Sequence, residues 1–143
     1  MKITQISVFL ENRKGRLADV CTLFGDNNIN IRALTIAETE TFGVMRLVVD
    51  KPAVAMELLK ANGFTANLTN VVGVEVDDVP GGLAKILKIL SRNEINIEYM
   101  YGFIEKSSDK ALMVFRFDHP EAAASALMDK GIKIIPKEDI QKP

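Results

Sequence analysis

The sequence predicts an α+β fold in which one β-α-β-β-α-β unit occurs twice. The first observation is an internal repeat, because the pattern N-x-I-N-I occurs at residues 27–31 and returns at residues 93–97, an offset of 66. The second observation is that both copies change between strand periodicity and helix periodicity in the same order. We therefore predict two domains, residues 1–70 and residues 71–143.

The first half of each copy reads as a strand followed by a helix. Alternating apolar residues indicate a strand with one buried face, and they are Ile6, Val8 and Leu10 in the first copy and Val72, Val74 and Val76 in the second. After a glycine-containing loop, apolar residues at i, i+3, i+4 and i+7 indicate one face of a helix. This face comprises Leu17, Val20, Cys21 and Phe24, and then Leu83, Ile86, Leu87 and Leu90.

The second half of each copy adds two strands, a helix and a short final strand. In the first copy the two strands span about residues 29–38 and 43–50, with a polar turn at residues 39–41. Pro52 and Pro120 open the second helices, where a missing N–H costs least, and Gly63 and Gly131 end them. Two extra residues in the second copy lie near residues 107–109. This order is typical of a ferredoxin-like unit with an antiparallel sheet and both helices on one face.

The sheet face without helices is predicted to be apolar. We expect it to carry Phe9, Leu34, Ile36, Val44 and Val48 in the first unit, and Met100, Ile104, Leu112 and Val114 in the second. An apolar area of this size is normally covered. Either the two units cover each other or a second chain does, and we expect a homo-oligomer, most simply a homodimer.

Composition excludes several classes of protein. The 143 residues are 48% hydrophobic with a net charge of −1, which indicates a globular protein and argues against a nucleic-acid partner. No apolar run approaches the ~20 residues that span a membrane, and the N-terminus lacks the apolar core of a signal peptide. We therefore expect a cytoplasmic protein with no membrane contact. Residues 44–49 and 112–117 also lack the basic-glycine-aromatic pattern of RNA-binding sheets.

The sequence offers no convincing catalyst, metal site or cofactor motif. Cys21 lies on the apolar face of a helix, which favours an inert thiol. His119 is the single histidine and lies beside Pro120, where a surface position is expected. These two residues cannot supply the usual cluster of metal ligands. We predict no catalytic residues, no metal and no cofactor, and hence no enzyme.

The loop between the first strand and the first helix is the candidate binding site. It reads E-N-R-K-G-R-L at residues 11–17 and D-D-V-P-G-G-L at residues 77–83. A glycine at a helix start leaves backbone N–H groups that bind a carboxylate, and Asn12 or Asp78 could accept a hydrogen bond from an ammonium group. The spacing alone also fits a plain turn in which these glycines shape the chain and Asn12 and Asp78 cap a helix.

The combination N/D-x-x-G-x-L, an apolar helix and then I-N-I resembles the ACT domain, twice over essentially the whole chain. The resemblance implies a stand-alone tandem ACT protein that binds a small effector, usually an amino acid, where units meet. The ligand would lie between the strand-helix loop of one unit and the second strand of its neighbour. Carried onto this chain, the implied ligand-binding residues are Asn12, Lys14, Gly15, Arg16, Leu17, Asn30, Ile31, Asp78, Pro80, Gly81, Gly82, Leu83, Asn96 and Ile97.

The two loops depart from each other and from the family pattern. The proline before the glycine is kept as Pro80 but replaced by Lys14, and the first loop carries basic residues where the second carries Asp77 and Asp78. We therefore hypothesise that the two sites are not equivalent. The expected function is amino-acid binding with regulation of a protein partner. A structural or protein-interaction module that binds no ligand is the alternative, and an unrecognised enzyme is a weaker one.

Overall fold

A computed structural model describes residues 2–11, 14–38, 42–104 and 110–142. The elements are β1 (Ile3–Glu11), α1 (Arg16–Asp26), β2 (Ile31–Glu38), β3 (Phe42–Val49), α2 (Pro52–Ala61), β4 (Thr65–Asp77), α3 (Gly82–Arg92), β5 (Ile97–Gly102), β6 (Lys110–Phe117), α4 (Pro120–Asp129) and a 3-10 helix (Lys137–Asp139). The repeated β-α-β-β-α-β order confirms the predicted fold class. The turn predicted at residues 39–41 and the insertion near residues 107–109 lie outside the described residues. In the described chain, no helix is both long and apolar enough to cross a membrane.

The chain divides into two compact units, and each terminal segment belongs to the unit formed mainly by the other half of the chain. The N-terminal unit comprises Thr4–Thr69 together with the residues from Ile140 onward, and the C-terminal unit comprises the residues up to Ile3 together with Asn70–Asp139. Strand β4 therefore contributes to both units. The C-terminal segment joins the N-terminal unit through Gln141, whose side chain accepts a hydrogen bond from Thr4 N–H at 2.9 Å and donates to Thr4 O at 2.7 Å.

The N-terminal unit builds its core between the helices and one face of an antiparallel sheet. Strand β3 lies between β2 and β1. The alternating residues Ile6, Val8 and Leu10 face the helices, as predicted. The helices contribute Val20, Phe24, Ala55 and Leu59, all wholly buried. The alternation of period two along β1 and the i, i+4 spacing along α1 thus meet in one apolar layer.

The C-terminal unit repeats this core with a shorter closing strand. Strand β6 lies between β4 and β5 in antiparallel pairing, and the buried rings of Phe115 and Phe117 lie 5.3 Å apart under the helices. The predicted final strand is reduced to one bridge between Val74 and Ile134. Ile135 still donates its N–H to Gly73 O at 2.8 Å, and Pro136 after it has no N–H to donate, so the pairing stops there.

All four α-helices of the described chain end with the same hydrogen-bond pattern. The N–H of Ile29, Phe64, Ile95 and Ile132 bonds the carbonyl of Phe24, Leu59, Leu90 and Leu127, respectively. This is a Schellman motif, which needs a left-handed residue before the apolar one. That residue is Gly63 after α2 and Gly131 after α4, the two glycines predicted to end these helices. After α1 and α3 it is Asn28 and Glu94, respectively.

The face of the sheet without helices is less apolar than the sequence predicted. Leu34 pairs with Leu47, and Ile36 pairs with Met45. Because directly paired residues share a face, Leu34 and Ile36 lie on the helix side, which corrects the prediction. An irregularity between Ile31 and Ala33 shifts the alternation of β2 by one residue.

The same correction applies to the C-terminal unit. Met100 pairs with Phe115 and packs against the helix-side core, so it does not lie on the open face. Val48 and Val114 lie on the opposite side from the helices, but both have no exposed surface. A second chain therefore has less apolar surface to cover than the sequence suggested, and the homodimer stays a prediction.

Candidate functional site

Each strand-helix loop ends in a glycine with left-handed backbone geometry. Gly15 has φ 85° and ψ −8° before α1, and Gly81 has φ 84° and ψ −5° before α3. Both are the N-cap residues, and neither helix has a side-chain cap. Asp78 therefore does not act as the N-cap of α3, and its side chain does not cap the helix. Asn12, the matching position in the first loop, lies outside the described residues.

The glycines of the two loops are required for different reasons. A Cβ at Gly15 or Gly81 would meet nothing within 4 Å, so only the positive φ demands glycine there. A Cβ at Gly82 would instead overlap the carbonyl oxygen of Asp77 and lie 2.9 Å from its carbonyl carbon. The equivalent residue of the first loop is Arg16, an offset of 66. The second loop therefore packs more tightly against the end of its strand than an arginine would allow.

The structure separates the loop residues from the strand residues within each unit. An 11-residue helix lies between them, which is about 16 Å at 1.5 Å per residue. Gly81 lines one cavity, whereas Asn96 and Ile97 line another at the far end of α3. A single unit thus does not bring its own loop and its own I-N-I segment together around one ligand.

The asparagines of the I-N-I segments are anchored through their backbones. Asn30 N–H donates to the carboxylate of Asp50 at 2.9 Å, and Asn96 N–H donates to Asp118 at 3.1 Å. Both asparagines are exposed, while Ile31 and Ile97 are half-buried against the cores. The segment therefore has a structural role in joining each helix to its next strand, and its two asparagine side chains face solvent.

The second loop lies in a more cationic environment than the sequence suggested. Asp77 forms an ion pair with Lys110, and the hydrogen bond and charge of Lys110 lower the pKa of the Asp77 carboxyl. A cavity of about 420 Å³ beside Gly81 is lined by the basic residues Lys85, Lys88 and Arg92 of α3 and by Lys130, the C-cap of α4. Sequence reasoning missed these residues, although three of them follow a helical spacing along α3. Their charge favours an anion at Gly81.

The remaining residues of the second loop differ in burial. Asp78 and Pro80 are exposed, Gly82 is buried, and Leu83 packs against the core of its unit. Exposure of this kind is typical of loops that contact a ligand or a partner.

The first loop holds a partly buried arginine. The guanidinium of Arg16 lies 4.2 Å from the centroid of the Phe64 ring and 3.7 Å from the Asp19 carboxylate. Its Nε is buried and has no hydrogen-bond partner in the described part of the chain. Lys14 is exposed, and Leu17 is 40% exposed. The arginine is therefore fixed by its neighbours while one of its donors is left unpaired.

Neither Cys21 nor His119 has surroundings that favour catalysis. Burial raises the pKa of the Cys21 thiol, so the reactive thiolate is disfavoured. His119 is exposed and lies 3.2 Å from the carboxylate of its neighbour Asp118. Across residues 2–11, 14–38, 42–104 and 110–142, no three His, Cys, Asp or Glu side chains are grouped to hold a metal ion.

Sequence comparison assigns a family to nearly the whole chain. The family model described as an ACT domain pair matches residues 1–142. A search of curated proteins found no match.

Solved structures share the fold. A crystal structure of protein BT0572 from Bacteroides thetaiotaomicron is 38% identical, with a TM-score of 0.92 over 98% of this chain and 96% of that one. The regulatory subunit of aspartate kinase from Thermus thermophilus is 22% identical, with a TM-score of 0.64 over 88% of this chain and 91% of that one. The corresponding subunit from Thermus flavus is 17% identical, with a TM-score of 0.57 over 88% and 90%. By its sequence, its repeat and its fold, the chain belongs to the family of ACT domain pairs.

Proposed function

We propose that this protein is a regulatory, non-catalytic protein that binds a free amino acid at its strand-helix loops. The observation that carries the proposal is the pair of left-handed glycines at the helix starts, each with open space beside it. Backbone N–H groups at a helix start favour a carboxylate. Basic side chains lie close to both loops, Arg16 at the first and Lys85 and Lys88 at the second.

The ligand would act by joining units. Since a loop and the I-N-I segment of the same unit lie at opposite ends of a helix, a ligand that contacts both needs a loop from one unit and a strand from another. We propose that a second copy of the chain supplies it, in a cytoplasmic homodimer with two-fold symmetry. The ligand would then shift the dimer, or its affinity for a regulated protein partner, by the difference in ligand affinity between the two states.

The fold supports regulation by analogy. The regulatory subunits of two aspartate kinases have the same fold over about nine tenths of their own chains. We retain the division into residues 1–70 and 71–143 as the boundary between the two ACT-like sequence copies. The implied contact residues at the loops and in the I-N-I segments remain part of this proposal.

A thermal-shift screen of the purified protein against the common amino acids, followed by calorimetry, tests the proposal. A ligand at one hundred times its dissociation constant should stabilise the fold by about 2.7 kcal/mol. Binding should be weakened in at least one of the variants Gly15→Ala and Gly81→Ala, and retained in the exposed control Lys60→Ala. Sedimentation velocity with and without ligand would report the dimer.

The alternative is a structural or protein-interaction module. A folded protein that responds to none of the amino acids would support that alternative and refute amino-acid binding. Binding that is unaffected in both glycine variants would keep amino-acid binding but refute the loops as its site.

A further inference from the structure

The N-terminal unit contains a small cavity where β1 ends and β3 begins, near the start of α1. Its volume is about 210 Å³, and its described lining comprises Phe9, Leu10, Glu11, Arg16, Phe42, Gly63 and Thr65. Sites for drug-sized ligands usually have roughly 300–1,000 Å³. This cavity therefore suits a smaller molecule, of the size of a free amino acid.

The lining combines both charges with apolar rings. Arg16 provides a guanidinium and Glu11 a carboxylate, while Phe9 and Phe42 place their ring centroids 6.5 Å apart. These residues are 39% and 43% exposed, which is unusual for phenylalanine. A zwitterion with an apolar side chain matches all three features.

The positive charge of Arg16 favours an anion in this cavity. Its stacking on Phe64 fixes the side chain, and its Nε is buried with no partner in the described residues. Arg16 also lines the cavity, so a ligand carboxylate there would accept a charge-assisted hydrogen bond from its guanidinium, among the stronger hydrogen bonds in proteins.

The C-terminal unit closes the same position with ion pairs. Phe42 is the strand partner of Glu11 in the first unit, whereas Lys110 is the partner of Asp77 in the second and forms an ion pair with it. Phe9 corresponds to Glu75, an offset of 66.

Two more positions of the cavity have different residues in the C-terminal unit. Thr65 corresponds to Lys133 at the later offset of 68, and Lys133 lies 3.6 Å from the Glu75 carboxylate. Arg16 corresponds to Gly82, which has no side chain. The second unit thus neutralises its own acidic groups and lacks the guanidinium.

We propose that the cavity of the N-terminal unit binds an α-amino acid with an apolar side chain, one per chain, with its carboxylate on Arg16, its ammonium group on Glu11 and its side chain on Phe9 and Phe42. This rests on the proposed function and narrows it to the first loop, since it names the class of amino acid and the contacts that the N-terminal unit supplies, to which a second copy would add its I-N-I segment. Among its described residues, the C-terminal unit has the ion pairs of Asp77 and Glu75 at the matching position instead of this combination of groups.

A matched pair of strand variants tests the assignment. F42K puts a lysine opposite Glu11, as Lys110 lies opposite Asp77 in the second unit. In calorimetry, this variant should bind leucine, isoleucine, valine, methionine or phenylalanine at least tenfold more weakly than the wild type. K110F makes the reverse change in the C-terminal unit and should leave the affinity unchanged. The wild type should bind one ligand per chain, and the amide of that ligand, which lacks the carboxylate, should bind at least tenfold more weakly.

Circular dichroism should show that both variants are folded. If F42K is not folded, E11Q provides the same test through the ammonium contact. If folded F42K binds with wild-type affinity, or if E11Q does so when F42K is not folded, the cavity is not the site, although amino-acid binding stands. Preference for a polar amino acid, or two equal sites per chain, would also overturn it. Absence of binding by any amino acid would refute both the cavity and the proposed function.

Discussion

Asn30 and Asp50 bind each other twice. The Asn30 N–H donates to the Asp50 carboxylate at 2.9 Å, and the Asp50 N–H donates to the Asn30 carbonyl at 3.0 Å. Asn96 and Asp118 form the same pair in the other copy. The aspartate at the end of one strand therefore fixes the entry of the strand beside it, which explains why N-x-I-N-I and a later aspartate occur together in both copies.

Replacing Asp50 should weaken the N-terminal unit. D50A removes a charged acceptor from a backbone N–H, and the expected loss is about 1–3 kcal/mol in the free energy of unfolding. D50N keeps an acceptor oxygen and should lose clearly less. Urea unfolding followed by circular dichroism measures both variants. Equal stability of D50A and the wild type would show that the hydrogen bond contributes nothing.

The two glycines at the start of α3 should respond differently to alanine. G81A should cost about 1–2 kcal/mol, because a Cβ has open space but the residue has a left-handed φ. G82A should cost more, because a Cβ would overlap the Asp77 carbonyl and force the backbone to move. Chemical denaturation of the two variants gives the comparison. A smaller loss for G82A than for G81A would contradict the tight packing of this loop.

The pair of Asp77 and Lys110 should make stability depend on acid pH. Lys110 lowers the pKa of Asp77 in the folded state, so the unfolded chain, with a pKa of about 3.9, takes up the proton first as pH falls. The contribution of the pair is therefore present above that value and is lost as pH falls toward the lowered folded pKa. The melting temperature between about pH 3 and pH 7 should fall less steeply in D77N than in the wild type.

The matched variant K110M should show the same shallower fall, because it removes the other partner of the pair. A wild-type pH profile in both variants would show that the pair does not affect stability.

Gln141 should be important for the N-terminal unit although it lies near the end of the chain. Its side chain is 4% exposed and bonds Thr4 twice and the carbonyl of Val49 once, at 3.0 Å. Q141A would remove all three hydrogen bonds, one of them to the carbonyl of the buried Val49, so we expect a loss of about 2–4 kcal/mol. The neighbouring exposed control K142A should stay within about 0.5 kcal/mol of the wild type. Thermal unfolding distinguishes the two, and equal values would exclude this role.

The sequence predicted the helices and most strands because their signals are local. The apolar spacing along α1 and α3, the prolines at the starts of α2 and α4 and the glycines after them each depend on a few neighbouring residues. The left-handed Asn28 and Glu94 were missed. Asparagine favours a positive φ less strongly than glycine does, and glutamate is uncommon there.

The candidate site was only partly accessible to such reasoning. Gly15, Gly81 and Arg16 stand out in the loop sequence. Glu11 and Phe42 lie 31 positions apart, and only the register of β1 against β3 makes them neighbours. Basic residues of α3 and α4 likewise meet beside Gly81 through helix packing.

The sequence by itself determined the duplication, the order of strands and helices, the glycines at helix starts and ends, and the ACT family. Periodicity, caps and turns depend on a few neighbouring residues, so they can be predicted directly from the sequence. The tertiary structure decided which residues share a sheet face, since one irregularity in β2 moved Leu34 and Ile36 to the helix side. It also decided that Gln141 completes the N-terminal unit and that Glu11 faces Phe42 where Asp77 faces Lys110. These depend on pairings between distant segments, whose geometry exists only once the chain has folded.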